Sequence, residues 1–199
     1  MKRTILPVLF IIIFLSLYQI IVASNPDSTS RSVGIVVSYR GIIRNTPGLS
    51  LGIEKTYLQS AKYSVLGSAT LQLNQKPDVF TSTGFNLGST LRRTWNSGLY
   101  LEHGVNMGYL GKYYNFDIYR TNSDGDIVNT GRKLKSTMTL GYSIGLGYDF
   151  SKKANTNIQL FVKPGIYYDL FDRSNYYILN YYSIEMGLIF HPQWLNRNK

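Results

Sequence analysis

Between Ser136 and Phe150 the chain reads STMTLGYSIGLGYDF, and its side chains alternate between two chemistries without a break. Met138, Leu140, Tyr142, Ile144, Leu146, Tyr148 and Phe150 fall on one parity; Thr137, Thr139, Gly141, Ser143, Gly145, Gly147 and Asp149 fall on the other. Because successive side chains of an extended strand point to opposite faces, such a segment has one apolar face and one polar, glycine-rich face. Length decides where it belongs. Ordinary strands run about 5 to 6 residues, whereas a tilted strand crossing a bilayer needs roughly 9 to 11. This segment has the longer reach, and apolar-out, polar-in is the alternation of a transmembrane barrel.

The pattern recurs over 33–43, 48–57, 63–75, 82–95, 99–114, 136–150, 157–170 and 177–191. The expected fold is all-β: a closed antiparallel transmembrane β-barrel of about eight strands with up-and-down topology. The connections alternate in length. Leu58 to Lys62, Asn96 to Gly98 and Ser151 to Thr156 are short, while Gln75 to Thr81, Asn115 to Lys135 and Phe171 to Tyr176 fall between them. Short turns face the periplasm in such barrels, so the first strand is expected to run outward. Arg44 to Pro47, the first outer connection, is short against this trend.

Ahead of the strands, Lys2 and Arg3 precede a run of apolar residues ending at Val22-Ala23-Ser24. Basic start, apolar stretch and small residues describe a secretory leader, and the length of the run also suits an uncleaved anchor. The expected organisation is a signal peptide over 1–24, a linker over 25–32, the barrel over 33–191 and a short tail over 192–199. The formal net charge is +10, or +8 once Lys2 and Arg3 are removed (10 − 2). On an exported chain this charge points to anionic lipid, lipopolysaccharide included, and away from nucleic acid, for which no binding motif is present. There is no cysteine, which excludes disulfides, thiolate metal sites and a thiol nucleophile.

The turn Asn96-Ser97-Gly98 sets a register. A three-residue hairpin loop ends in a left-handed residue, which glycine supplies, so Trp95 should pair with Leu99, Arg93 with Leu101 and Arg92 with Glu102. In the last hairpin, Tyr167 opposite Tyr181 would place Lys163 opposite Glu185. The inward set contains Arg40, Glu54, Arg92, Glu102, Asp149, Lys163, Asp169 and Glu185, nearly balanced in sign. An eight-stranded barrel is just wide enough for side chains to fill. A plugged interior braced by ion pairs is therefore expected, with a proton or ion path as the functional alternative. Tyr57, Tyr63, Trp95, Tyr148, Phe150 and Phe190 gather near one rim, where rings with a polar tip suit the headgroup level.

Near the end, Glu185-Met186-Gly187-Leu188-Ile189-Phe190 resembles the C-terminal β-signal of bacterial outer-membrane proteins: a polar residue, any residue, a glycine, and an aromatic three later. Pro192 stands where that family usually carries a second aromatic. The chain as a whole resembles the small eight-stranded outer-membrane proteins of the tyrosine-rich Bacteroidota type. The resemblance covers 33–191 and is one of pattern. It implies recognition by the outer-membrane insertion machinery.

Few residues invite chemistry. His103 has outward parity with Leu101 and Val105 at about half membrane depth, where a polar group without a partner is costly. A local bulge, a protein contact or simple tolerance of a tilted imidazole would each account for it. Outward Pro164, which cannot donate to a ladder, marks a weakened strand. His191 belongs to a rim. The lipid A deacylases are characterised by a His-x-Ser element; His103 is followed by Gly104-Val105 and His191 by Pro192-Gln193. The lipid A palmitoyl-transferring barrels imply a histidine near the outer rim, and the outer loops hold none. No cofactor is expected and no metal: Asn122-Ser123-Asp124-Gly125-Asp126 lacks the glycine and glutamate of a calcium loop, having Ile127 and Lys133 there. Asp124-Gly125 instead reads as a two-residue hairpin turn flanked by Tyr113 to Thr121 and Ile127 to Leu134. That hairpin, with Tyr119, Arg120, Asp124 and Gly125, joins His103 and Pro164 as the expected contact with a larger outer-membrane complex. The expected role is a noncatalytic structural or accessory subunit; the alternatives are a narrow channel and a lipid A-modifying enzyme.

Overall fold

The computed structural model describes residues 32–42, 46–117, 119–129, 134–154, 156–170, 179–192 and 194. The expected leader over 1–24, most of the expected linker and tail, half of the Arg44 to Pro47 connection and all of the Phe171 to Tyr176 connection lie outside them. The strands in chain order are β1 (Val33–Ile42), β2 (Gly48–Gln59), β3 (Tyr63–Lys76), β4 (Phe80–Thr94), β5 (Leu99–Tyr114), β6 (Tyr119–Thr121), β7 (Ile127–Asn129), β8 (Leu134–Asp149), β9 (Ile158–Leu170) and β10 (Leu179–Phe190). All but β6 and β7 form one closed antiparallel barrel, in which each strand pairs with its chain neighbours, β5 with β8, and β1 with β10.

The pairing fixes the size of the barrel. From Ile42, a circuit of paired residues runs through Ser183, Gly165, Ser143, Gly104, Thr90, Leu66 and Thr56. Thr56 N–H then bonds to Ser32 O, ten residues back along the chain from the start (42 − 32). For eight strands, a stagger of ten at standard strand spacings gives a tilt of roughly 40° and a backbone radius of about 8 Å. Side chains fill such a tube.

The alternation becomes two surfaces. Every barrel strand exposes outward apolar residues, among them Val37, Leu51, Leu71, Leu87, Met107, Leu140, Val162 and Leu188. Leu49 and Leu71 are each more than 60% exposed. A continuous apolar band around a wall far exceeds the few hundred Å² that soluble monomers leave bare; it is a surface for hydrocarbon. Inward, Ser38, Arg40, Glu54, Asn86, Arg92, Glu102, Thr139 and Asp169 are buried. A small apolar cluster of Val36, Tyr100, Phe161 and Ile189 lies among them.

Two connections differ from expectation. Lys76 pairs directly with Phe80 because Asp78 adopts a left-handed φ of 60°, so Gln75 to Thr81 contains a tight turn where a looser loop was expected. Aspartate tolerates that conformation better than most residues. In the long excursion, β5 ends at Tyr114 and residues 115–117 carry no strand, so the first flank does not continue unbroken; residues 118 and 130–133 lie outside the described ones. A separate ribbon of β6 and β7 stands beyond β5 and β8, tipped by a three-residue loop, Ser123 to Gly125, in place of the expected two-residue turn. The Asn122 side chain is the cause: its Oδ1 accepts from the N–H groups of Asp124 and Asp126, and Gly125 closes the loop at φ 89°. The end carrying the ribbon is called here the ribbon end and the other the turn end.

Candidate functional site

Arg92 projects inward from β4 toward the turn end, and Glu102 stands opposite it on β5 in the register set by the Gly98 turn, where φ is 93°. The guanidinium is bonded on three sides by three strands. Nε donates to Glu102 Oε2 at 3.0 Å, Nη2 to Glu54 Oε2 at 3.1 Å and Nη1 to Gln159 Oε1 at 2.9 Å. Its plane lies over the Tyr100 ring, 4.4 Å from the centroid. Lys163 from β9 adds a fourth charge, with Nζ 2.6 Å from Glu102 Oε1. Two anions and two cations thus sit together, and the Arg92, Glu54 and Glu102 side chains are no more than 6% exposed. A rigid planar fork suits such multiple bonding in a way that a lysine would not. Gly145 makes the Lys163 contact possible, because a Cβ there would lie 2.6 Å from Glu102 Cγ.

The node redraws one expected ion pair while keeping its register. Lys163 stands opposite Glu185 in the β9–β10 ladder, yet its ammonium reaches past Gly145 to Glu102, while Glu185 accepts from Ser38 Oγ at 2.6 Å. Arg40 likewise takes no part in an ion pair among the described residues. It donates to Gln72 Oε1 and lies over the Tyr167 ring, 4.0 Å from the centroid. Glu54 is engaged by Arg92. An ion pair that sequence reasoning missed, Lys112 with Asp169 at 2.8 Å, closes the ribbon half. The parity that turns Glu102 inward also turns Lys112 inward and could have found it. Gln159 and Gln72 gave no comparable signal, since a neutral amide on the inward parity looks like any other interior polar residue.

Below Arg92 the interior opens at the turn end into a recess of about 310 Å³, lined by Ser32, Thr56, Arg92, Tyr100, Asp149 and His191 among others.

On the outer wall, His103 is half-buried, and its Nδ1 lies 3.0 Å from the Tyr142 hydroxyl, one step diagonally across to β8. The β5–β8 register runs without a shift from Leu99–Tyr148 to Tyr113–Leu134, so there is no bulge at His103. One of its two ring nitrogens is thus engaged inside the chain. Pro164 is exposed, and the β8–β9 ladder skips the positions of Ile144 with Pro164 and Gly145 with Lys163, keeping the same register on both sides. The missing N–H interrupts the ladder without bending it. At the ribbon, Tyr119 is 61% and Ile127 76% exposed, Asp124 and Gly125 form the exposed tip, and the Arg120 side chain lies outside the described residues. His103, the ribbon and the node are thus three separate places; His191 alone shares a recess with the node, through Arg92.

No family model and no curated protein matches this chain. Among solved structures, it is similar to the N-terminal β-barrel domain of Pseudomonas aeruginosa OprF, with a TM-score of 0.45, 15% identity, and coverage of 82% of this chain and 98% of that one. Neisserial surface protein A gives 0.45 and 12%, covering 81% and 95%. Ail, the attachment invasion locus protein of Yersinia pestis, gives 0.46 and 13%, covering 80% and 94%. The closed wall, the apolar band on every barrel strand and the ion-lined interior make this an integral β-barrel of the outer-membrane type.

Proposed function

We propose that the chain is a noncatalytic structural or accessory subunit of the outer membrane, plugged along its axis and binding another envelope protein through the ribbon. The observation that carries this reading is the Arg92 guanidinium, bonded at once to β2, β5 and β9 across a tube about 8 Å in radius. A side chain held on three sides closes a barrel of this width. The ribbon supports the second half of the reading, because Tyr119, Ile127 and Val128 are exposed beyond the wall, where no lipid covers them. The ribbon is preferred to the His103 face as the docking surface, because Tyr142 already engages one nitrogen of the imidazole.

The test has two arms. In planar bilayers the purified protein is expected to pass no steady current. A photo-crosslinker at Tyr119, used in the native membrane, should capture a discrete envelope protein that one at lipid-facing Leu140 does not. Steady current would favour narrow permeation, the second reading, for which the 310 Å³ recess at the turn end is the supporting feature. A Tyr119 crosslinker that recovers this chain alone would remove the accessory role.

A further inference from the structure

At the turn end, the outer wall breaks the apolar pattern in one place. Lys55 and Tyr57 on β2, Tyr63 on β3 and Arg93 on β4 all have outward positions, and Trp95 follows at the end of β4. Three local features hold them. Thr56 opposes Leu66 and Leu58 opposes Val65, which leaves Tyr57 as the extra residue of a β-bulge. A bulge re-aims side chains, and this one keeps Tyr57 outward as the strand ends. Lys55 pairs with Gly67, which has no side chain, and the Tyr57 ring lies across that gap; a Cβ on Gly67 would collide with it. Lys55 Nζ then sits 5.8 Å from the Tyr57 ring centroid, while Arg93 Cζ sits 5.7 Å from Tyr63 and 5.2 Å from Trp95. These separations are at the reach of cation–π attraction, about 6 Å.

Neither cation enters an ion pair among the described residues. Of the interior cations, Arg92, Lys112 and Lys163 have carboxylates, while Arg40 is held by Gln72 and the Tyr167 ring. Lys55 and Arg93 flank β3 on the wall that continues upward through the exposed Ile53, Leu71 and Leu87. Lys55 opposes Gly67 and Arg93 opposes Tyr63, so the two positions lie about 13 Å apart along β3 as well as two strand spacings, roughly 10 Å, across it, a gap that two extended long side chains span only with a phosphodiester between them. The surface therefore presents two positive charges at the rim and hydrocarbon above them. Free phosphate would use the first and not the second. An anionic amphiphile uses both.

We propose that this patch is a binding site for the phosphodiester headgroup of an anionic phospholipid, with Lys55 and Arg93 on the phosphate, Tyr57, Tyr63 and Trp95 at headgroup level, and the acyl chains along the wall. The proposal rests on the chain's residence in a bilayer and is independent of the ribbon. It assigns the site to the leaflet on the turn side, which is the periplasmic one.

The full chain would be folded into nanodiscs of phosphatidylglycerol and phosphatidylcholine in equal parts, released into mild detergent and weighed by native mass spectrometry. The folded wild type should retain phosphatidylglycerol several-fold over phosphatidylcholine. The double variant K55Q/R93Q should fall to parity, whereas K152Q/K153Q, which removes exposed turn-end cations from off the wall, should keep the preference. Inorganic phosphate should not displace the retained lipid. Equal retention of both lipids by the wild type, an unchanged preference in K55Q/R93Q, or displacement by inorganic phosphate would each overturn the proposal. If the double variant fails to insert, K55Q alone decides, with a reduced preference supporting the site and an unchanged one refuting it. Failure of the wild type itself to enter nanodiscs would count against residence in a bilayer, a different outcome from insertion without preference.

Discussion

The Arg92 node and the ribbon are built from opposite materials. The node draws Glu54, Arg92, Glu102 and Lys163 from four different strands, and each is placed by the ladder. The ribbon consists of two three-residue strands whose tip is shaped by a single side chain, Asn122. Closure fixes the first and local turn chemistry the second. A change in the node must therefore be felt throughout the barrel, whereas a change in the ribbon can stay where it is made. That division suits a part that must not move next to a part free to fit a partner.

The comparison breaks most easily at Arg92. Arg92→Ala leaves the Glu54 and Glu102 carboxylates buried without their shared cation, and losing one partner of a buried ion pair costs about 3–5 kcal/mol. Urea unfolding from lipid vesicles should show a loss of that size, and one below about 1 kcal/mol would mean that the node does not brace the wall. An intermediate effect is expected midway up the outside. Tyr142→Phe deprives His103 of its hydroxyl partner in hydrocarbon, and leaving a polar group unsatisfied costs roughly 1–3 kcal/mol. The double variant H103L/Y142F should regain most of the loss in the same assay; if it does not, the hydrogen bond is not what makes His103 tolerable. The smallest effect belongs to the ribbon. Gly125→Ala strains a left-handed position, so hydrogen exchange should quicken over 119–129. Barrel stability should stay within about 0.5 kcal/mol of wild type, the usual range for surface changes. A larger shift would show that the ribbon and the wall are coupled.

What the sequence made legible follows the same division. Strand identity and facing could be read because the period of two is strict in segments such as Ser136 to Phe150. The β4–β5 register could be read because Asn96-Ser97-Gly98 admits one geometry, and Trp95 N–H does bond to Leu99 O. The partner of Lys163 could not be read, because it depends on closure: Glu102 is not on an adjacent strand, and the contact passes over Gly145. Sequence order says nothing about which side chain is absent between two strands that are not neighbours. The ribbon tip was misread for a different reason. Asp-Gly is a strong two-residue turn signal, but a preceding Asn whose carbonyl captures two N–H groups wins over it. The Tyr57 bulge left no mark either, because apolar and aromatic residues on both parities near a strand end are read equally well as fraying.

The seam of the barrel has a consequence for how it is made. The first strand is completed only by the last, with Ile35 against Phe190 and Arg40 against Glu185. A chain still emerging, or one cut short before β10, would present two raw margins to the bilayer, where unmatched amides and carbonyls cannot be tolerated. Insertion is thus all-or-nothing: the protein has to wait, unfinished, until the twelve residues of β10 arrive to shut the door.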